Sequence, residues 1–229
     1  VTSASTVAAN ATFTADVVNF SGVTGNVTGP LLLANNAGVS FTGGSGNTAV
    51  TGSANPDVIN TGIGNDTIDG DAGNDIINAG DGTNSITGGA GADTMTGGAG
   101  VDTYIFLGTA GNASNGADGA AVAEVITNFT RSTDKLQFTG VVDIVSALQS
   151  TVQTDVTALA AGSTDAQIAT RMAATNATDL GVSFAVFNGS TYVYFERTGA
   201  TTTHVAADNI FIKLVGITTL PTFAADVIA

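Results

Sequence analysis

An apolar residue recurs every nine positions through the first half of the chain: Val50, Ile59, Ile68, Ile77, Ile86, Met95 and Tyr104. Phe41 stands one step earlier in the same register. A period of nine is neither the 3.6 of a helix nor a sustained alternation, so it marks a repeated unit. From Gly43 the chain divides without insertion into GGSGNTAVT, GSANPDVIN, TGIGNDTID, GDAGNDIIN, AGDGTNSIT, GGAGADTMT and GGAGVDTYI. Each block reads as a six-residue turn followed by a three-residue strand. The strand sends its central apolar side chain inward and the two neighbours outward. The fourth position is Gly in every block except the second, where Asn55 replaces it. Such a turn needs positive φ, and Asn is expected to substitute because it also visits the left-handed region. The sixth position runs Thr48, Asp57, Asp66, Asp75, Asn84, Asp93 and Asp102.

This pattern, G-G-x-G-x-D-x-U-x, resembles the RTX nonapeptide repeat, and the resemblance spans residues 43–105. It implies a mainly β fold, a parallel β-roll that binds calcium. Two blocks make one coil of about 18 residues, so equivalent turns stack at i and i+18. Parallel strands stack about 4.8 Å apart. Oxygen ligands hold calcium at about 2.3–2.6 Å, so a bridging ion matches that spacing better than magnesium does. The spacing pairs Asp57 with Asp75 and Asp75 with Asp93 on one side. On the other it pairs Asp66 with Asn84 and Asn84 with Asp102. The two sites sharing Asn84 are expected to be weaker, because an amide oxygen carries no full charge. Backbone carbonyls of the turn glycines Gly62, Gly64, Gly73, Gly80, Gly82, Gly89, Gly91, Gly98 and Gly100 complete the expected ligand set. Without metal the stacked carboxylates repel one another, so folding is expected to depend on calcium. Asp69, Asp71 and Asp81 fall off the sixth position and read as solvated turn charges.

Charge strengthens the case for an external cation. Nineteen acidic residues face five basic ones, a net of −14. Every basic residue (Arg131, Lys135, Arg171, Arg197, Lys213) lies beyond residue 130. This argues against nucleic acid, whose phosphates would be repelled. The chain has no Cys, so thiolate metal sites and disulfides are excluded. Mean hydropathy is +0.31, yet no apolar run reaches the roughly 18 residues of a membrane span. No membrane insertion is expected.

The flanks read as caps. After the repeats come Asp102–Phe106, Glu124–Phe129 and Thr133–Phe138, alternating strands with large aromatics that can close the open end of a roll. RTX proteins often carry a similar series. Residues 108–120 read as a loop, residues 141–160 as partly helical, and Ser163–Met172 as a short capped helix. Val182–Phe187, an Asn188–Gly189 turn and Thr191–Glu196 form a hairpin signal, with a further strand over Asn209–Val215. Upstream, Ala11–Phe20 alternates as a strand and Gly25–Leu33 begins further coils. The division is therefore 1–42 as an N-terminal β-rich cap or β-helix end, 43–105 as the roll, and 106–229 as a capping and secretion-signal region.

Nothing catalytic assembles. His204 is the only His, so the zinc site of serralysin-type proteases, which also carry these repeats, is missing. Glu124 and Glu196 read as surface or capping residues. The chain is expected not to be an enzyme. Its Thr/Ala/Gly/Asn-rich, Cys-free, Lys-poor character resembles the C-terminal region of calcium-dependent bacterial surface-layer proteins. That implies an extracellular structural protein, self-associating through calcium-dependent contacts, with cell-surface polysaccharide as a second candidate partner. No leader is visible at Val1. The small apolar ending Phe223–Ala229 resembles the uncleaved signal of type I secretion, or else is an ordinary terminal strand. The alternative is the secretion and folding module of a larger RTX toxin, adhesin or hydrolase. A carbohydrate- or ice-binding face using Thr67, Thr87, Thr94 and Thr96 ranks below both.

Overall fold

A computed structural model describes residues 12–14, 16–27, 30–33, 37–107, 123–139, 152–153, 163–164, 167–168, 182–195, 210–218 and 227–228. The repeats form short strands that alternate between two sheets, because each turn reverses the chain after three extended residues. Numbered in chain order, the first sheet contains β1 (Thr12–Phe13), β3 (Pro30–Leu33), β5 (Ala49–Thr51), β7 (Thr67–Asp69), β9 (Gly82–Thr87), β11 (Gly100–Leu107), β13 (Lys135–Thr139) and β18 (Val227–Ile228). These pair in parallel in that order. The second runs β2 (Val17–Asn19), β4 (Ser40–Thr42), β6 (Val58–Asn60), β8 (Ile76–Asn78), β10 (Thr94–Thr96) and β12 (Glu124–Ile126), again all parallel. It continues through β17 (Ile210–Val215), β16 (Ser190–Phe195), β15 (Val182–Phe187) and β14 (Val152–Gln153). The parallel β-roll implied by the repeat is the fold.

The nine-residue period becomes two stacked columns. Leu31, Val50, Ile68, Ile86, Tyr104 and Leu136 lie in register in one sheet. Val18, Phe41, Ile59, Ile77, Met95, Ile126 and Leu214 do so in the other. All are buried in one core. Each buried Ile contributes roughly 2 kcal/mol. Aromatics close the core at both ends. Phe106 stacks on Phe138 with centroids 5.5 Å apart, and Phe129 lies 6.1 Å from Tyr104. At the other end Phe20 packs edge-on between Phe13 and Phe41.

The strands before residue 43 and after residue 105 continue the same two sheets. Residues 11–20 do not form the single strand expected from their alternation. They supply β1 to one sheet and β2 to the other, since the chain turns between Phe13 and Val17 to keep both apolar columns growing. The hairpin forms as expected, with Asn188 at φ 47° and Gly189 at φ 75° in its two-residue turn. Where 141–160 was read as partly helical, Val152–Gln153 is strand β14, paired with the free edge of β15. Of the predicted helix, Gln167 and Ile168 are helical. Thr164 caps them, its Oγ1 accepting from Gln167 N (3.3 Å) while its own amide donates to Gln167 Oε1 (2.8 Å). Ile168 packs with Ala185, Tyr192, Tyr194 and Phe211 in a second, smaller core. The loop 108–120, Glu196 and His204 lie outside the described residues. Among the described residues no helix is long and apolar enough to cross a membrane.

Candidate metal centre

From the second block onward the sixth residue turns inward and is buried: Asp57, Asp66, Asp75, Asn84, Asp93 and Asp102 are at most 2% exposed. Each uses Oδ1 to accept a hydrogen bond from the backbone N–H one coil earlier. Asp75 N donates to Asp93 Oδ1 (2.8 Å), Asp57 N to Asp75 Oδ1 (2.8 Å) and Val39 N to Asp57 Oδ1. In the other column Asn84 N donates to Asp102 Oδ1 (3.2 Å), Asp66 N to Asn84 Oδ1 (3.0 Å) and Thr48 N to Asp66 Oδ1 (2.7 Å). The structure thus brings together the residues that the spacing paired, 18 apart in sequence.

The second carboxylate oxygen decides the chemistry. Oδ2 of Asp66, Asp75, Asp93 and Asp102 is buried and has no hydrogen-bond partner. At Asp75, Asp93 and Asp102 this oxygen sits against the first glycine of its own block, Gly70, Gly88 or Gly97, where a Cβ would collide with it. A buried, unpartnered carboxylate oxygen requires a proton or a cation. Burial is the largest cause raising all four carboxyls above their ordinary range, Asp75 to about 7 and Asp93 to about 6. The charges of Asp93 and Asp57 push Asp75 further up. Among the described residues no three His, Cys, Asp or Glu side chains cluster. A metal here would therefore rely on at most two carboxylates supplemented by backbone carbonyls, an all-oxygen set suited to calcium. The nine turn glycines expected to contribute all have positive φ, from 85° at Gly80 to 149° at Gly82. When bound, calcium would neutralise the carboxylates and tie neighbouring turns together.

Two expectations change. Asn55 does not adopt positive φ. Pro56 follows it, and a proline restricts the backbone of the residue before it. The positive-φ non-glycine in the repeats is instead Asp71, at 69°. Asp57 is in its column but has no free oxygen. Ser53 donates its amide to Asp57 Oδ2 (2.6 Å) and its hydroxyl to Oδ1 (3.0 Å). Asp71 and Asp81 are exposed, and Asp69 is half-buried with Oδ1 accepting from Asp71 N.

Other contributors were not read from the motif. Glu124 and Asp134 extend the two acid columns. Glu124 Oε2 accepts from Asp93 N (3.0 Å), and Asp134 Oδ1 accepts from Asp102 N (3.1 Å). Both are buried, so Glu124 caps its column and is not a surface residue. A second ladder runs in the opposite sense at the fifth position. Asn47 Oδ1 accepts from Asn65 N, Asn65 Oδ1 from Thr83 N, and Asn74 Oδ1 from Ala92 N, all within 3.0 Å. The recurrence of Asn at 47, 65 and 74 was the available signal.

These features define a parallel β-roll whose turns are built to take calcium. Residues 42–77 and 70–104 match the family described as RTX calcium-binding nonapeptide repeat (4 copies). Residues 42–104 therefore carry RTX calcium-binding nonapeptide repeats, and the fold they build is a parallel β-roll. No curated protein matches the chain. Among solved structures, it is similar to the solution structure of the AlgE6R3 subunit from the Azotobacter vinelandii mannuronan C5-epimerase. The identity is 21% and the TM-score 0.33, over 80% of this chain and 78% of that one.

Acidification should weaken calcium binding. In the unfolded chain these carboxyls titrate near 3.9, whereas folded, metal-free Asp75 and Asp93 titrate at about 7 and about 6. Between those limits the metal-free fold holds protons that the unfolded chain does not. Its stability therefore rises as pH falls through this window, and the penalty is fully present above about 7. Calcium needs the deprotonated form, so apparent affinity is expected to drop by about tenfold or more between pH about 8 and about 5, with proton release on binding. Titration calorimetry in buffers of differing ionisation enthalpy measures both. Affinity independent of pH over that range contradicts the assignment.

Proposed function

We propose that the protein is an extracellular, non-enzymatic structural protein that folds on calcium and self-assembles into a surface layer, matrix or filament. It would be secreted, as RTX proteins commonly are. The observation that carries assembly is the outer face of the ten-stranded sheet. Val17, Ser40, Val58, Ile76, Thr94 and Val125 form one outward column in register. Within it Val17, Val58 and Ile76 are 66%, 40% and 54% exposed. A row of exposed β-branched side chains on a regular sheet suits a second copy of the same face. Calcium would supply the rigidity that keeps this face flat, and the acidic turns could add ion-bridged contacts or bind a polysaccharide.

A second reading, the folding and secretion module of a larger RTX toxin, adhesin or hydrolase, is favoured by β1 and β2. Among the described residues each has a strand neighbour on one side only. The length of the natural gene product separates the two.

With calcium, wild-type protein is expected to elute as large species and to form ordered assemblies by electron microscopy. Val58→Lys/Ile76→Lys should remain monomeric while keeping its calcium-dependent circular dichroism. A wild-type chain that stays strictly monomeric at millimolar calcium removes the assembly reading.

A further inference from the structure

Asn84 occupies the sixth position where the flanking turns have Asp. Its orientation is set by the fold. Asp66 N–H points at Oδ1 (3.0 Å), so the oxygen must be on that side and the NH2 must face the turn. Nδ2 lies 2.8 Å from Asp102 Oδ1, 3.1 Å from Gly80 O and 3.4 Å from Gly97 O. At Asp66, Asp75, Asp93 and Asp102 the group that remains after the backbone bond is made is an acceptor in need of a cation. At Asn84 it is a donor, already satisfied by a carboxylate and a turn carbonyl. The backbone around it is zipped as well. β9 is six residues long where most strands of the repeats are three. Its pairing with β11 runs through the turn as Gly82↔Gly100, Thr83↔Val101 and Asn84↔Asp102.

We propose that the rung between turns 79–84 and 97–102 is metal-free: the Asn84 amide supplies the positive pole that calcium supplies between the other turns. An NH2 group bonded to Gly80 O and Asp102 leaves no oxygen of Asn84 for an ion and places hydrogens against the carbonyls an ion would need. The column Asp66–Asn84–Asp102–Asp134 is thereby split, with cation sites on either side of an internally bonded coil. This rests on the calcium reading of the repeats and specifies which turns use it.

The test counts ions. By titration calorimetry or equilibrium dialysis of the full chain with calcium alone, Asn84→Asp should bind one more calcium than wild type. Its folding should also need more calcium, because the new carboxylate replaces an internal bond. Asn84→Ala should add no ion and should weaken the calcium-free state. Equal stoichiometry for wild type and a folded Asn84→Asp overturns the proposal. Should Asn84→Asp fail to fold, anomalous diffraction from wild-type crystals grown in calcium decides. Calcium peaks beside Asp66, Asp75, Asp93 and Asp102, with none between Asn84 and Asp102, support the metal-free rung, and a peak there overturns it. A wild-type chain that binds no calcium at all instead removes the calcium reading beneath it.

Discussion

Stripping calcium from the protein with a chelator at neutral pH or above is expected to abolish the circular dichroism of the parallel sheets, and returning calcium to restore it. The magnitudes favour a large effect. Asp66, Asp75, Asp93 and Asp102 each bury a carboxylate oxygen with no hydrogen-bond partner. An uncompensated buried charge costs roughly several kcal/mol, against a total stability of about 5–15 kcal/mol for an ordinary domain. Four such charges together match or exceed that net stability. No Lys or Arg precedes residue 131 to supply a countercharge in sequence, so the repair must come from solution. Magnesium should restore the fold poorly, because its short, strictly octahedral ligand shell suits these sites less well than calcium's. A sheet signal that survives saturating chelator at pH about 8 would falsify calcium-coupled folding.

The second large effect is expected from a single methyl group. Gly82 has φ 149° and lies over Gly64 one coil earlier, so a Cβ would fall inside the Gly64 carbonyl oxygen. Gly100 stands over the Gly82 carbonyl in the same way. The obstacle is backbone on both sides, and neither carbonyl can move without breaking the coil-to-coil pairing of β9 and β11. Gly82→Ala should therefore lose about 4 kcal/mol or more, at the upper end for point mutants. Gly189→Ala is the informative comparison. Gly189 also has positive φ, 75°, but nothing lies within 4 Å of its added Cβ. It should lose only about 1 kcal/mol, the conformational part alone. Denaturant midpoints in saturating calcium measure both. Similar losses for the two would mean that close stacking of the turns is not what demands glycine.

Much of this was legible from the period of nine. It places Ile59 over Ile77 and Asp75 over Asp93 without reference to anything distant, because every coil repeats the last and contacts fall at a constant offset of 18. The hairpin at Asn188–Gly189 was legible for a similar reason, since its turn residues are adjacent and their preference is local. The site was less so. The motif marks Asp57 and Asp66 identically, yet Ser53 satisfies both oxygens of one while an oxygen of the other is left bare. Asn84 was visible as a weak point, but which way its amide faces depends on the Asp66 N–H one coil away.

Beyond the repeat, constant spacing ends. Glu124 and Asp134 complete the acid columns at offsets of 31 and 32 residues. They do so because the open edges of β10 and β11 accept β12 and β13 wherever the intervening chain permits. Strand alternation likewise could not tell that residues 11–20 serve two sheets, since that follows from both columns needing another rung. Local sequence was therefore enough for the roll, its apolar columns and its acidic turns, all of which follow from short-range geometry repeated. The free oxygens, the capping acids and the internally bonded turn at Asn84 were decided by hydrogen bonds between coils, whose partners exist only once the chain has stacked.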